Sequence, residues 1–336
     1  MTKSLTLLYG FLVLSGYHLT AQHFQFSQFY AAPTYLNPAF TGANVCSRFT
    51  INYRDQWTGV PGQFTSYMAS YDHYLKEAKS GIGLQVFGDN AGLGGLSTLQ
   101  VSVLYAYETR LSKKLMGRGG ITVGSIQRKV NLDAFTFADQ IARGSGPTVE
   151  ALTGGKATYF DTGLGMLVYS SSYWVGFAAS HVNRPNQSLM NGISPLPAEL
   201  KLHGGYKLIF EEVENTSKKI PEHHSVTFAF NYKKQNKYNQ LDLGVYYTKN
   251  LFVIGCWYRG IPVYKPVAGY QNNDAVIFLF GINMDKYKIG YSYDMTISKL
   301  SNLNTKGSHE VSMSYQFCKF KKVRRKKAVL ISCPKF

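Results

Sequence analysis

The chain has 336 residues, of which 15% are aromatic and 16% charged, with 25 Tyr, 21 Phe and 32 Gly. Tyr, Phe and Gly in excess over few charges suit strands and tight turns and argue against a helical protein. The formal net charge of +17 invites a nucleic-acid reading, but the N-terminus carries an export signal, and an exported protein rarely meets nucleic acid.

That signal comes first in chain order. Lys3 supplies the positive n-region, and Leu5 to Leu14 forms an apolar h-region within the roughly 7–15 residues usual for a secretory signal. Leu19 and Ala21 stand at the −3 and −1 positions of a cleavage site after Ala21, so residues 1–21 are expected to be a signal peptide. The h-region is too short for a membrane helix, which needs about 20 apolar residues. No later run reaches that length. Membrane residence would therefore require a closed sheet.

Residues 22–46 alternate Phe and Gln at Phe24, Gln25, Phe26, Gln28 and Phe29, then carry Pro33, Asn37 and Pro38. The prolines argue against regular structure. The segment is expected to be a periplasmic arm or a partial plug of the lumen.

From residue 47 the pattern has period two. Leu99, Val101, Val103, Tyr105 and Tyr107 share one face, opposed by Gln100, Ser102, Leu104, Ala106 and Glu108. Leu241, Leu243, Val245 and Tyr247 oppose Asp242, Gly244, Tyr246 and Thr248 in the same way, as Val311, Met313, Tyr315 and Phe317 oppose Ser312, Ser314 and Gln316. Successive strand side chains point to opposite faces, so each segment has one apolar and one small or polar face. A soluble sandwich would alternate too. Strand lengths of about 9–11 residues favour a tilted membrane strand. So do the Gly-, Ser-, Gln- and Asp-rich polar faces. Aromatics such as Trp57, Tyr71, Tyr74, Tyr173, Trp174, Trp257 and Tyr258 fall near strand ends, as in interfacial girdles.

The predicted architecture is an all-β, antiparallel outer-membrane barrel of about fourteen strands. They span 47–57, 64–75, 81–90, 96–109, 119–130, 157–169, 173–182, 199–210, 225–234, 238–249, 251–259, 274–284, 287–296 and 308–317. With a periplasmic N-terminus, the long connections 131–156, 183–198, 260–273 and 297–307 all face outward. The short ones at 170–172, 250 and 285–286 face the periplasm, the asymmetry usual in such barrels. The charged stretch 211–224 breaks the rule, as a periplasmic excursion or a slip in the strand count. The division is thus signal 1–21, arm 22–46, barrel 47–317 and tail 318–336. The tail carries Lys319, Lys321, Lys322, Arg324, Arg325, Lys326 and Lys327, suited to a solvated tail or to an acidic partner surface. Cys46, Cys256, Cys318 and Cys333 allow three pairings, with a bond inside the tail among them.

No nucleophile elbow, zinc-protease motif, Walker loop or dinucleotide fingerprint is present. His223 and His224 would point to opposite sides of a strand, as would Ser180 and His181. Asp133, Asp139 and Asp161 do not have the spacing of a calcium loop. Gly92, Gly94 and Gly95 read as a hairpin turn. His181, His203 and His309 read as lumen or loop residues. No catalytic, metal or cofactor site is assigned, and the chain is expected not to be an enzyme.

Three ordered N-terminal motifs carry a resemblance. They are Gln25-Phe26-Ser27-Gln28-Phe29-Tyr30, Leu36-Asn37-Pro38-Ala39-Phe40-Thr41-Gly42 and Tyr53-Arg54-Asp55-Gln56-Trp57. With the ending Leu330-Ile331-Ser332-Cys333-Pro334-Lys335-Phe336 after the basic run, the chain resembles the PorP/SprF family of type IX secretion and gliding motility in Bacteroidetes. The resemblance implies an outer-membrane barrel. Its partners would be periplasmic or outer-membrane components of the machinery and the C-terminal domain of a large secreted adhesin. Asn37, Pro38, Arg54, Gln56, Trp57, Lys321, Lys322, Arg324 and Arg325 are the candidate partner-binding residues. A barrel of this size is too narrow for a folded cargo, since about 16–18 strands are needed for an open channel, so docking is expected rather than conduction. A porin-like channel for small solutes is the alternative.

Overall fold

The computed structural model describes residues 25–317, apart from 45, 63, 133–134, 145, 147, 149–154, 191, 214–221 and 262–271. Residues 1–21, expected to be a signal peptide, and the basic stretch 318–336, including Lys321, Lys322, Arg324, Arg325, Cys318 and Cys333, lie outside the described residues, as does Asp133.

Fourteen antiparallel strands close into a barrel. They are β1 (Ser47–Gln56), β2 (Phe64–Leu75), β3 (Ser80–Ala91), β4 (Leu96–Arg110), β5 (Met116–Lys129), β6 (Lys156–Tyr169) and β7 (Tyr173–Ser180). The second half is β8 (Glu199–Val213), β9 (Glu222–Gln235), β10 (Tyr238–Lys249), β11 (Phe252–Ile261), β12 (Asn272–Asn283), β13 (Tyr287–Thr296) and β14 (Ser308–Phe317). Each pairs with its sequence neighbours, and β1 pairs with β14 in continuous register from Ser47 opposite Phe317 to Gln56 opposite Ser308. No edge is left, so every strand finds its backbone partners within the sheet.

The described ends of the charged stretch 211–224 belong to barrel strands. β8 and β9 extend past the neighbouring turns, with Glu211 opposite His224 and Val213 opposite Glu222, after a bulge between Ile209 and Glu211. The strand count therefore does not slip. The other described connections at that end are short, such as 76–79, 170–172 and 284–286, whereas the opposite end carries longer ones with helices α2 (Ala138–Arg143) and α3 (Asn302–Thr305).

Polarity is reversed relative to a water-soluble sandwich. The outer surface is apolar and exposed, with Val103 at 61% and Met166 at 69%. The lumen side is polar and buried, including Asn52, Asp242 and Ser292. Alternation explains a departure from the expected girdle. Trp174 and Trp257 sit between outward residues (Tyr173 and Val175, Cys256 and Tyr258), so they point inward and are fully buried, while Tyr71 and Tyr173 stay on the outer surface.

Cys46, just before β1, is disulfide-bonded, and Cys256 is a free thiol on the outer face of β11. Among the described residues no helix is long and apolar enough to cross a membrane.

Val103 lies mid-strand on the outer face of β4. Val103→Arg is expected to destabilise the barrel in lipid vesicles by about 2–4 kcal/mol, read from urea unfolding of the vesicle-inserted protein.

Candidate functional site: the lumen segment and its seat

Residues 25–44 run through the lumen and are almost wholly buried. Gln25 lies at the long-loop end beside Gln56 and Trp57. The segment then descends through a one-turn helix, α1 (Pro33–Leu36), and a 3-10 turn at Pro38–Phe40. Gly42 meets Gly81 and His73 at the short-turn end, close to where β1 begins.

Ser27 is the most densely bonded point. Its N–H donates to Glu310 Oε2 at 2.6 Å and its hydroxyl donates to Asp294 Oδ2 at 2.5 Å. The same oxygen accepts from Arg54 Nη1 at 2.6 Å and Arg259 Nη2 at 2.8 Å. A hydroxyl has one donor and two acceptor positions, and all three are used. Behind it, Arg54 pairs with Asp294 at 2.8 Å and Glu310 at 3.3 Å, and Arg259 with Asp242 at 3.0 Å and Asp294 at 3.1 Å. Gln28 completes the lock: its backbone N–H donates to Glu310 Oε1 at 2.9 Å, and its side-chain oxygen accepts from Ser312 at 2.6 Å.

Aromatic packing holds the next turn. Phe29 stands edge-on to Trp257 with centroids 4.9 Å apart, and Tyr30 to Trp174 at 5.7 Å. Such pairs add about 0.5–1.5 kcal/mol beyond the area they bury. Lys201 sits 4.3 Å over the Tyr35 ring.

Asn37 is the lower anchor. Its amide nitrogen donates to the Met166 and Phe177 carbonyls at 3.0 and 3.1 Å and lies 3.1 Å from His203 Nε2. Its oxygen accepts from Ala39 N–H at 2.9 Å, opening the 3-10 turn. Arg118, held by Glu108 at 2.7 Å, donates to the Ala39 carbonyl at 2.8 Å and to that of Thr41. The wall is notched to admit this turn. A Cβ on Gly165 would lie 2.0 Å from Asn37 Oδ1, and one on Gly81 2.0 Å from the Thr41 carbonyl oxygen.

Asn37, Pro38 and Arg54 are therefore enclosed by the wall, whereas Gln56 and Trp57 face the cavity at the long-loop end. The aspartates weighed for a cation are dispersed: Asp161 pairs with His181 at 2.7 Å and Asp139 with Arg143 at 2.5 Å. Among the described residues no cluster suited to a metal ion occurs. Ser27, Arg259, Asp294, Glu310, Arg118 and His203 were not singled out as site residues from sequence. Ser27 lies within the first N-terminal motif and His203 reads as a lumen or loop residue; Arg118, Arg259, Asp294 and Glu310 are marked only as charged groups on otherwise small polar strand faces.

These features define a membrane-spanning β-barrel whose lumen is occupied by its own N-terminal segment. The model of the family described as type IX secretion system membrane protein PorP/SprF matches residues 19–315, and the chain belongs to that family. A search of curated proteins returns no match. Among solved structures, the Ralstonia pickettii toluene transporter TbuX is similar at 12% identity and a TM-score of 0.48, over 85% of this chain and 93% of that one. Omp33 of Acinetobacter baumannii is similar at 6% identity and a TM-score of 0.41, over 82% and 100%. The Pseudomonas putida toluene transporter TodX gives 12% and 0.41, over 88% and 95%.

Glu310→Ala takes one of two carboxylates from the buried Arg54 guanidinium and strips the Ser27 and Gln28 N–H groups of their acceptor. It is expected to cost about 3–5 kcal/mol, measured by denaturant unfolding. Gly165→Val is expected to unseat the arm and expose Phe29, Tyr30 and Phe40 to chymotrypsin, which spares them in the unaltered protein.

Proposed function

We propose that this chain is a non-enzymatic outer-membrane component of type IX secretion and gliding. It acts as a docking platform that supports export or surface anchoring of a large adhesin-type cargo through the cargo's C-terminal domain. The observation that carries the reading is the occupied lumen. Buried side chains and backbone fill it from Ser27 to Thr41, so cargo would have to be held on the barrel, not passed through it. The same filling argues against a diffusion channel for small solutes.

In this reading the long-loop end faces outward, because barrels of this class keep their short turns in the periplasm. Gln56 and Trp57, beside the outer cavity, are then placed to meet cargo. The basic tail, with Lys321, Lys322, Arg324 and Arg325, follows a strand that ends on the periplasmic side and would grip acidic surfaces of the machine there. Asn37, Pro38 and Arg54 serve the same function indirectly, by keeping the arm seated.

Reconstituted into planar bilayers, the unaltered protein is expected to show no steady conductance, and deletion of residues 22–44 is expected to open one. A large steady pore in the unaltered protein would sink the docking reading. Deletion of residues 319–336 is expected to leave membrane insertion intact and abolish cargo export in cells; undiminished export would remove the tail from the docking surface.

A further inference from the structure

Beyond Gln25 the lumen widens, at the long-loop end, into a cavity of 240 Å³. Primary amides dominate its wall, among them Gln56, Gln235, Asn239 and Asn272, and Trp57 and Tyr238 supply flat apolar faces. Glu199, Asp274, Lys233 and Arg259 add both signs of charge.

Most of these charges are already engaged. Arg259 is bound to Asp242 and Asp294, and Glu199 to Lys201 at 3.1 Å. Lys233 differs. Its side chain lines the cavity and is only 8% exposed, and its ammonium is buried with no hydrogen-bond partner. Directly across the β8–β9 ladder stands Lys201, also facing the lumen, and like charges in that position repel. An ammonium offers three donors and no acceptor, so the group it lacks is an oxygen acceptor, preferably an anionic one.

A bare anion fits poorly, because Glu199 and Asp274 share the wall. A polyhydroxylated ligand fits better. Each hydroxyl both donates and accepts, which matches amides that do both and carboxylates that only accept. The faces of Trp57 and Tyr238 suit the C–H surface of a sugar ring, as small-ligand sites pair apolar walls with a few placed polar groups. We propose that this cavity is a subsite for an acidic saccharide unit, its carboxylate on Lys233 and its hydroxyls on the surrounding amides. The sugar could be free or the headgroup of a surface glycolipid; the chemistry recognised is the same. The site does not depend on the docking reading, and either can fail alone.

The full chain in phosphatidylcholine nanodiscs would be titrated calorimetrically with glucuronic acid, glucose and acetate. Glucuronate is expected to bind saturably, glucose at least tenfold more weakly, and acetate without saturation. Lys233→Met is expected to weaken glucuronate binding at least tenfold, to the level of glucose. Asn239→Ala, at the rim, is expected to weaken both sugars severalfold; heat-resistant gel mobility would show that each variant remains a folded barrel. Adding lipopolysaccharide to the nanodiscs is expected to raise the apparent Kd for glucuronate if the glycolipid is the natural source, and to leave it unchanged if a free sugar is. The proposal is overturned if the unaltered protein shows no saturable sugar binding, if acetate matches glucuronate, or if Lys233→Met binds glucuronate unchanged.

Discussion

One hydroxyl oxygen organises the interior of this protein. Ser27 Oγ is bonded to Arg54, Arg259 and Asp294 from three separate strands. Charges taken out of water are costly unless paired and hydrogen-bonded. Two guanidinium groups and their carboxylates meet inside a closed wall, and a single serine of the arm links them. Without the arm only Asp294 would still join the two guanidinium groups, and the Ser27 bridge between them would be lost. Seat it and Ser27 Oγ bridges the two guanidinium groups and Asp294, with Glu310 also receiving the N–H groups of Ser27 and Gln28.

That node explains why the rest of the arm can be so irregular. A segment with Pro33 and Pro38 has no regular ladder to join, so its backbone groups must be met one at a time. The wall does this at spaced points: Glu310 near the long-loop end, Asn37 with its carbonyls at mid-depth, and Arg118 and Asp72 lower down, the last accepting from Gly42 N–H at 2.9 Å. Between these points the contact is apolar and aromatic. The core of the molecule is thus a length of its own chain, clamped by polar groups and packed by Trp174 and Trp257.

Much of this was legible in the sequence. Alternation at Leu99–Tyr107 and Val311–Phe317 is strong because one face meets lipid and the other a polar lumen, and that contrast located fourteen strands. Loop lengths then separated a long-loop end from a short-turn end. The inward tryptophans were misread because position near a strand end was weighed over parity: Trp174 and Trp257 stand one residue out of step with the outward aromatics. The seat was harder still. Arg54 carried a motif, but Arg259, Asp294 and Glu310 lie more than 200 residues along the chain from Ser27, and a period-two pattern says which face a residue takes without saying what crosses the lumen to meet it. The buried ammonium of Lys233 was invisible for the same reason, since lysines also decorate any exposed turn.

The bond from Ser27 to Glu310 joins residues 283 apart in sequence, and its acceptor lies on the strand that also zips to β1. The seat of Ser27 therefore exists only where the last strand of the barrel is in place. Closing the cylinder and holding its contents draw on the same two strands, because the carboxylates of the clamp, Asp294 and Glu310, stand on β13 and β14. The seam that removes the sheet's last free edge and the clasp that holds the lumen's contents are thus built from one pair of strands, so a lesion in β13 or β14 strikes closure and filling together.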